Sequence, residues 1–221
     1  MKLVLYSGGQ DAGNHVLHEA LTGLAGKKSK IRMTYLAFCA ENANIFYQRF
    51  VRRYRSHGVS DFSCFILDEQ HTEAEIKNAL RTDIIYISGG NTFYILAHLK
   101  RLRLLSHLRS FVEKGGVLAG LSAGAIIMTP RITLAGYPRF EADENEVGLA
   151  NLRSLGLVGF EFYPHYSNSK RLNKALLLYS RRVKSPVYAC ADGDGIIINE
   201  SNFTAKGSVY IFHQGTRFSL A

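Results

Sequence analysis

Residues 117–125 read Val-Leu-Ala-Gly-Leu-Ser-Ala-Gly-Ala, an apolar run closing on one serine fenced by the smallest side chains available. Residues 116–121 (GVLAGL) predict a buried strand, and AIIM at 125–128 predicts the helix that follows. Between them, Gly120-Leu-Ser-Ala-Gly124 matches G-x-S-x-G. A serine on such a sharp strand-to-helix turn sits in strained backbone with its Oγ pushed into the open, and Gly on either side leaves room for neighbouring chain. The turn also aims the N–H of Ala123 and the start of the new helix at the same point, where oxyanion charge would develop. Ser122 is thus a candidate nucleophile on an α/β framework; the alternative is a small residue filling a tight junction.

Working outward, the same grammar recurs. Strands are predicted at 2–6 (KLVLY), 31–38 (IRMTYLAF), 62–67 (FSCFIL) and 83–88 (DIIYIS). Amphipathic segments near 12–24, 43–57, 72–80, 92–99 and 103–114 separate them. Strand and helix in alternation imply a mostly parallel sheet covered on both faces, an α/β three-layer sandwich over a single domain, 1–221. Ligands of such sheets bind at the carboxyl ends of the strands. Two of those ends are Gly-rich, Leu5-Tyr-Ser-Gly-Gly9 and Tyr86-Ile-Ser-Gly-Gly-Asn-Thr92. With the turn at Ser122 they place three small-residue turns along one edge. Past residue 129 the alternation weakens: 136–156 is polar, acidic and loop-like, followed by a strand at 157–163, a helix near 169–181 and short strands at 187–191, 195–199 and 208–213.

Bulk properties narrow the function classes. No run approaches the length of a membrane span, and the four apolar residues after Lys2 are too few for a signal-peptide core, so a cytoplasmic protein is expected. The three cysteines, Cys39, Cys64 and Cys190, are widely spaced in apolar runs, which suits reduced thiols. Neither HExxH nor tight His-carboxylate spacing occurs, so no metal or other cofactor is expected. Lys and Arg number 27 against 18 Asp and Glu, a net charge of +9. The excess comes in short pieces such as KKSK at 27–30 and KRLR at 100–103, without a nucleic-acid-binding motif; it reads as a basic surface, also compatible with an acidic small substrate.

A serine nucleophile needs a base. His165, in Phe162-Tyr-Pro-His-Tyr-Ser-Asn168, follows a predicted strand halted by Pro164 and so belongs to a strand end, the same kind of place as Ser122. His213 lies inside the apolar alternation VYIFHQG. For the acid that orients the imidazole, Ala191-Asp-Gly-Asp-Gly195 offers Asp192 and Asp194 after another strand. Chain order leaves two assignments open: Ser122, His165, Asp192; or Ser122, Asp192, His213, the order of α/β-hydrolases.

YSGG at 6–9, ISGGNT at 87–92, GLSAGA at 120–125, PHY at 164–166 and ADGDG at 191–195 occur together, in one order, over nearly the whole chain. In this the chain resembles the S51 serine peptidases, which include dipeptidase E (α-aspartyl dipeptidase) and cyanophycinase. The resemblance implies a fold like that of class I glutamine amidotransferases. It implies Ser122 as nucleophile, His165 as base, Asp192 as orienting acid and the N–H groups of Gly90 and Ala123 as oxyanion hole. It implies Arg171 as receiver of a substrate Asp side chain, with Asn91 and Thr92 also in the substrate-binding set. Members of the dipeptidase E branch carry Glu where this chain has Asp192, and the loop after His165 is short here; both weigh on the aspartyl specificity. The expected partner is a small peptide, with a homodimer compatible and neither nucleic acid nor membrane implied. A cyanophycinase-like or other amide or ester hydrolase, and a binding protein that keeps the turn without catalysis, are the alternatives.

Overall fold

The computed structural model describes residues 1–9, 11–26, 28–38 and 40–220. Cys39, one of the three expected thiols, lies outside them. Among the described residues a seven-stranded sheet runs in the order β3-β2-β4-β5-β1-β8-β9. Its strands are β1 (Lys2–Tyr6), β2 (Ile31–Ala37), β3 (Val59–Ile66), β4 (Ile84–Ile87), β5 (Val117–Leu121), β8 (Gly195–Asn199) and β9 (Asn202–Lys206). The first five are mutually parallel; β8 runs antiparallel to β1, and β9 to β8.

Side chains alternate across this sheet with the two-residue period of a strand, and each face has its own core. Leu3, Leu5, Ile85, Ile87, Leu118 and Ile196 point to one side. Val4, Tyr6, Ile84, Tyr86, Val117 and Ala119 point to the other, where α1 (His15–Leu24) and α2 (Ala40–Arg55) cover them through Leu17, Leu21, Phe50 and Tyr54. On the first side lie α3 (Glu73–Ala79), α4 (Thr92–Arg101), α5 (Leu104–Glu113) and the single turn α6 (Ala123–Ile126). Buried on both faces, the central strands are near-continuous apolar runs, each fully buried Leu or Ile contributing about 1.5–3 kcal/mol.

The late strands do more than finish the large sheet. A second, four-stranded sheet runs in the order β11-β10-β7-β6, from β6 (Glu161–Tyr163), β7 (Val187–Cys190), β10 (Val209–His213) and β11 (Thr216–Leu220). Its inner face, with Phe162, Cys190 and Val209, joins the first core; its outer face, with Tyr163, Val187, Ala189 and Phe212, is covered by α7 (Lys170–Ser180) through Leu172, Leu176 and Tyr179. β6 and β7 are parallel, while β10 is antiparallel to β7. The strand expected over 157–163 forms only over its last three residues. Leu155 and Leu157 instead donate their N–H groups to the carbonyls of Ile127 and Met128, which packs Val158 and Phe160 into the core as irregular chain.

No helix of the described residues is long and apolar enough to cross a membrane. Cys190 is fully buried and Cys64 half-buried, both free. Burial, aided by Glu69, pushes the Cys64 thiol up to about 11, and burial with Asp194 nearby pushes Cys190 up further. Both sulfurs are held as inert thiols.

Candidate active site

Because β4, β5 and β1 are adjacent and parallel, the turns after them share one edge of the sheet. Ser122, after β5, adopts φ 51° and ψ −109°, a sparsely populated conformation for a residue with a side chain, and its N–H donates to the carbonyl of Tyr6. The glycines beside it are required by close approach. A Cβ on Gly120 would lie 2.3 Å from the backbone of Gly124, and one on Gly124 would lie 2.3 Å from the carbonyl oxygen of Ile87. The strain at Ser122 is held in place by backbone packed on both sides.

The small sheet delivers its own two residues to the same point. In the parallel pair β6 and β7, Tyr163 pairs with Ala189, so the residues that follow, His165 and Asp192, leave the sheet at the same end. His165 Nδ1 lies 2.6 Å from Asp192 Oδ1, and its Nε2 lies 2.8 Å from Ser122 Oγ. With Nδ1–H donated to the carboxylate, Nε2 is left to accept the serine proton. Asp192, His165 and Ser122 therefore form one continuous hydrogen-bonded chain. The imidazole and the carboxylate are each about half exposed, so the chain opens to solvent.

Asp194 goes elsewhere. Its Oδ2 accepts from the Ser208 N–H, and its Oδ1 lies 3.7 Å from Lys206 Nζ, which ties down the connection from β9 to β10. His213 is further removed. Phe212 pairs with Val187, the first residue of β7, so His213 lies at the end of the small sheet opposite to Asp192. The order Ser122, Asp192, His213 is thereby excluded by strand register.

Two residues that carried no assignment in the sequence hold the constellation together. Ser7, fully buried, accepts the His165 N–H through its Oγ at 2.7 Å, donates that hydroxyl to the Cys190 carbonyl at 2.7 Å, and donates its own N–H to the Asp194 carbonyl. It joins the ends of β1, β6, β7 and β8 and orders His165 in its left-handed φ of 56°. At Gly8 a Cβ would lie 2.4 Å from both Asp192 Oδ1 and His165 Cε1, so the imidazole and carboxylate rest on bare backbone there. The YSGG turn was the available signal: Gly permits the contact, and a small hydroxyl at a buried strand end must find partners.

The Gly89-Gly90 turn faces Ser122 from β4. A Cβ on Gly89 would stand 3.8 Å from that of Ser122, and Gly90 has a φ of 142°, which favours glycine. Ala123, the expected second oxyanion donor, is the first residue of α6, so its N–H is one that no carbonyl of the helix takes. Asn91 and Thr92 are occupied with the fold. Asn91 caps α4, its Oδ1 accepting from the N–H groups of Phe93 and Tyr94 while its amide donates to the Glu144 carbonyl. Thr92 gives its N–H and hydroxyl to Asp143 Oδ2. Of the two, Thr92 also lines the cavity beside Ser122, whereas Asn91 is not in its lining.

Beside Ser122 and His165 opens a cavity of about 400 Å³, lined among others by Thr92, Tyr137, Glu141, Asp143 and Tyr163. Tyr163 donates to Glu141 Oε2 at 2.6 Å. Burial first, then that carboxylate, pushes its phenol well above its ordinary range, which keeps it a donor. Arg171 is absent from the lining: it is exposed, with its guanidinium 3.7 Å above the ring of Phe140. Glu141 and Asp143, within the stretch 136–156 read only as polar, acidic loop, form part of the wall that sequence reasoning missed. Among the described residues no group of His, Cys, Asp or Glu could hold a metal ion.

Of the curated relatives that the chain matches, the uncharacterized peptidase Lmo0363 of Listeria monocytogenes is 33% identical over 60% of this chain and 64% of its own. Peptidase E of Shewanella amazonensis is 35% identical over 44% of this chain and 40% of its own, so the matches span less than two thirds of these relatives. Among solved structures, a candidate peptidase E of Listeria monocytogenes EGD-e superposes with a TM-score of 0.73 at 24% identity, covering 93% of this chain and 97% of its own, which shows the fold. The sequence model of peptidase family S51 matches residues 3–206, and the chain belongs to that family.

Proposed function

We propose that the protein is a serine peptidase acting on short peptides, with Ser122 as nucleophile, His165 as general base and Asp192 as the acid that orients it. The single observation carrying this reading is the unbroken hydrogen-bonded chain Asp192–His165–Ser122, both links within reach for proton transfer. Ser122 Oγ attacks the amide carbonyl as His165 Nε2 takes its proton. Asp192 stabilises the imidazolium, which then protonates the leaving amine. Water, activated by the same imidazole, releases the acyl group from Ser122. The N–H groups of Gly90 and Ala123 receive the oxyanion. Family membership supports the peptidase class.

An N-terminal Asp in the substrate rests on Arg171 alone. To receive its carboxylate the guanidinium would have to leave the ring of Phe140. A dipeptide library assayed with wild type, Ser122→Ala and Arg171→Ala tests both levels. Ser122→Ala is expected to lose activity by about 10⁴-fold or more. Selective loss of Asp-X cleavage in Arg171→Ala would support the aspartyl specificity. Cleavage that survives Ser122→Ala would overturn the mechanism, and a wild type that binds peptides but cleaves none would favour the binding-protein reading.

A further inference from the structure

The turn that faces Ser122 has a second side. A Cβ on Gly89 would look towards the serine, but one on Gly90 would lie 3.0 Å from the ring of Phe38. Beyond Gly90 opens a recess of about 300 Å³ whose side-chain walls are Tyr35, Phe38, Phe46 and Leu121. Phe38 is held by the rings of Tyr94 and His98, at centroid separations of 5.7 and 6.0 Å, while Phe46, on α2, is 48% exposed and forms the rim. Among the described residues no charged side chain lines this recess. Its floor differs from its walls. Ser88, which follows β4 and borders the recess, is only 4% exposed, and its Oγ has no hydrogen-bond partner among the described residues. Burial, then Cys64, pushes the neighbouring Tyr35 phenol up to about 12 against a lowering effect of Ser88, so the floor is polar but uncharged.

A buried hydroxyl left unpaired is costly, and one at the floor of an apolar recess marks the place of a ligand atom. The turn that carries it divides two cavities: Thr92 lines the one beside Ser122 and His165, Ser88 the one beyond Gly90. A peptide whose carbonyl oxygen meets the Gly90 N–H straddles that turn, with one residue on each side. On the reading above the acyl residue extends towards α7, which leaves the recess to the residue released as an amine. We propose that the recess is the subsite for this leaving residue and that it takes the side chain of tyrosine, the ring packing on Phe38 and Phe46 and the hydroxyl pairing with Ser88 Oγ. An apolar body with a polar tip matches apolar walls over a polar floor, and a charged side chain would be desolvated there without a partner. The inference rests on the serine-peptidase reading above.

The test compares Ala-Tyr, Ala-Phe, Ala-Ala and Tyr-Ala as substrates of wild type, Ser88→Ala and Phe46→Asp. The peptides that begin with Ala yield the same acyl-enzyme, so differences in kcat/KM among them arise in binding and acylation. In wild type Ala-Tyr is expected to exceed Ala-Ala by about tenfold or more, with Ala-Phe between them. Ser88→Ala is expected to lower the ratio of Ala-Tyr to Ala-Phe by about threefold to tenfold. Phe46→Asp, a change at the exposed rim, is expected to lower the advantage of both aromatic peptides over Ala-Ala by about threefold or more. Each ratio is taken within one variant, so a loss of folded protein cancels. Equal kcat/KM for Ala-Tyr, Ala-Phe and Ala-Ala, or ratios that both variants leave unchanged, overturns the inference. So does a preference for tyrosine in Tyr-Ala that Ser88→Ala removes, which would put the acyl residue in the recess. Thermal stabilisation of the Ser122→Ala protein by Ala-Tyr gives an independent readout. Stabilisation beyond that by Ala-Ala, lost on adding Ser88→Ala, in a protein whose wild type cleaves no peptide would sustain the recess as a tyrosine site and reject the peptidase; cleavage indifferent to the second residue would do the reverse.

Discussion

His165 and His213 belong to one small sheet and both stand at the ends of strands, yet only His165 reaches Ser122. The difference is strand direction. β6 runs parallel to β7, so the residues following each emerge side by side and place His165 against Asp192. β10 runs antiparallel to β7, which returns His213 to the start of β7, where its Nδ1 is buried without a hydrogen-bond partner among the described residues. A histidine in a strand is therefore not a candidate base by exposure or by order along the chain; the direction of its neighbours decides.

The largest expected effect breaks the pair apart. His165→Ala should lower kcat for peptide hydrolysis by about 10⁴-fold or more, and should abolish labelling of Ser122 by a fluorophosphonate. His213→Ala should leave both near wild type. Strong loss in the second variant and activity in the first would mean that the proton passes at the wrong end of the sheet.

A closer version of the same contrast lies within four residues. Asp192→Asn removes the carboxylate facing His165 Nδ1 and should cost about 10³–10⁴-fold in kcat. Asp194→Asn weakens an acceptor of the Ser208 N–H and an interaction with Lys206; it should cost about 1 kcal/mol of stability in chemical denaturation while kcat stays within a few-fold. Similar losses of kcat in the two variants would remove the distinction.

The smallest effect concerns the end of the sheet that His213 shares. Glu161, which pairs with Val187 there, is buried and accepts from the Tyr179 hydroxyl at 2.6 Å. Desolvation raises its pKa above the ordinary 4.5, against the lowering effects of Tyr179 and Arg131. The folded state thus holds this proton more tightly than the unfolded one. Its stabilising contribution is complete below pH 4.5 and is lost as pH rises through the raised value. Glu161→Gln should gain melting temperature relative to wild type between pH 4 and pH 7, with activity unaltered. A constant difference across that range would show that Glu161 does not titrate as its burial requires.

What could be read from the chain beforehand follows the same physics. The central strands announced themselves as apolar runs because both their faces are buried, and G-x-S-x-G was visible because Gly120 and Gly124 have no room for a side chain. Two strands escaped. β9 (NFTAK) and β11 (TRFSL) are edge strands with mostly exposed side chains, so they carry no apolar pattern. Backbone pairing creates them, through hairpins turning at Glu200-Ser201 and at Gln214-Gly215. The site was legible where a residue type is chemically committed, as at Ser122, His165 and Asp192. It was silent where ordinary residues acquire a role by position, as with Ser7, or where a loop folds back over the strand ends, as with Glu141 and Asp143.

Ser7 also bears on how the protein is made. Its hydroxyl bonds to His165 and Cys190, 158 and 183 residues away along the chain, and its N–H waits for Asp194. A ribosome releases Ser7 long before those partners, so a nascent chain carries the serine, and later the histidine, without the bonds that align them until the late strands are made. The constellation can therefore close only after Cys190, Asp192 and Asp194 have been added to the chain.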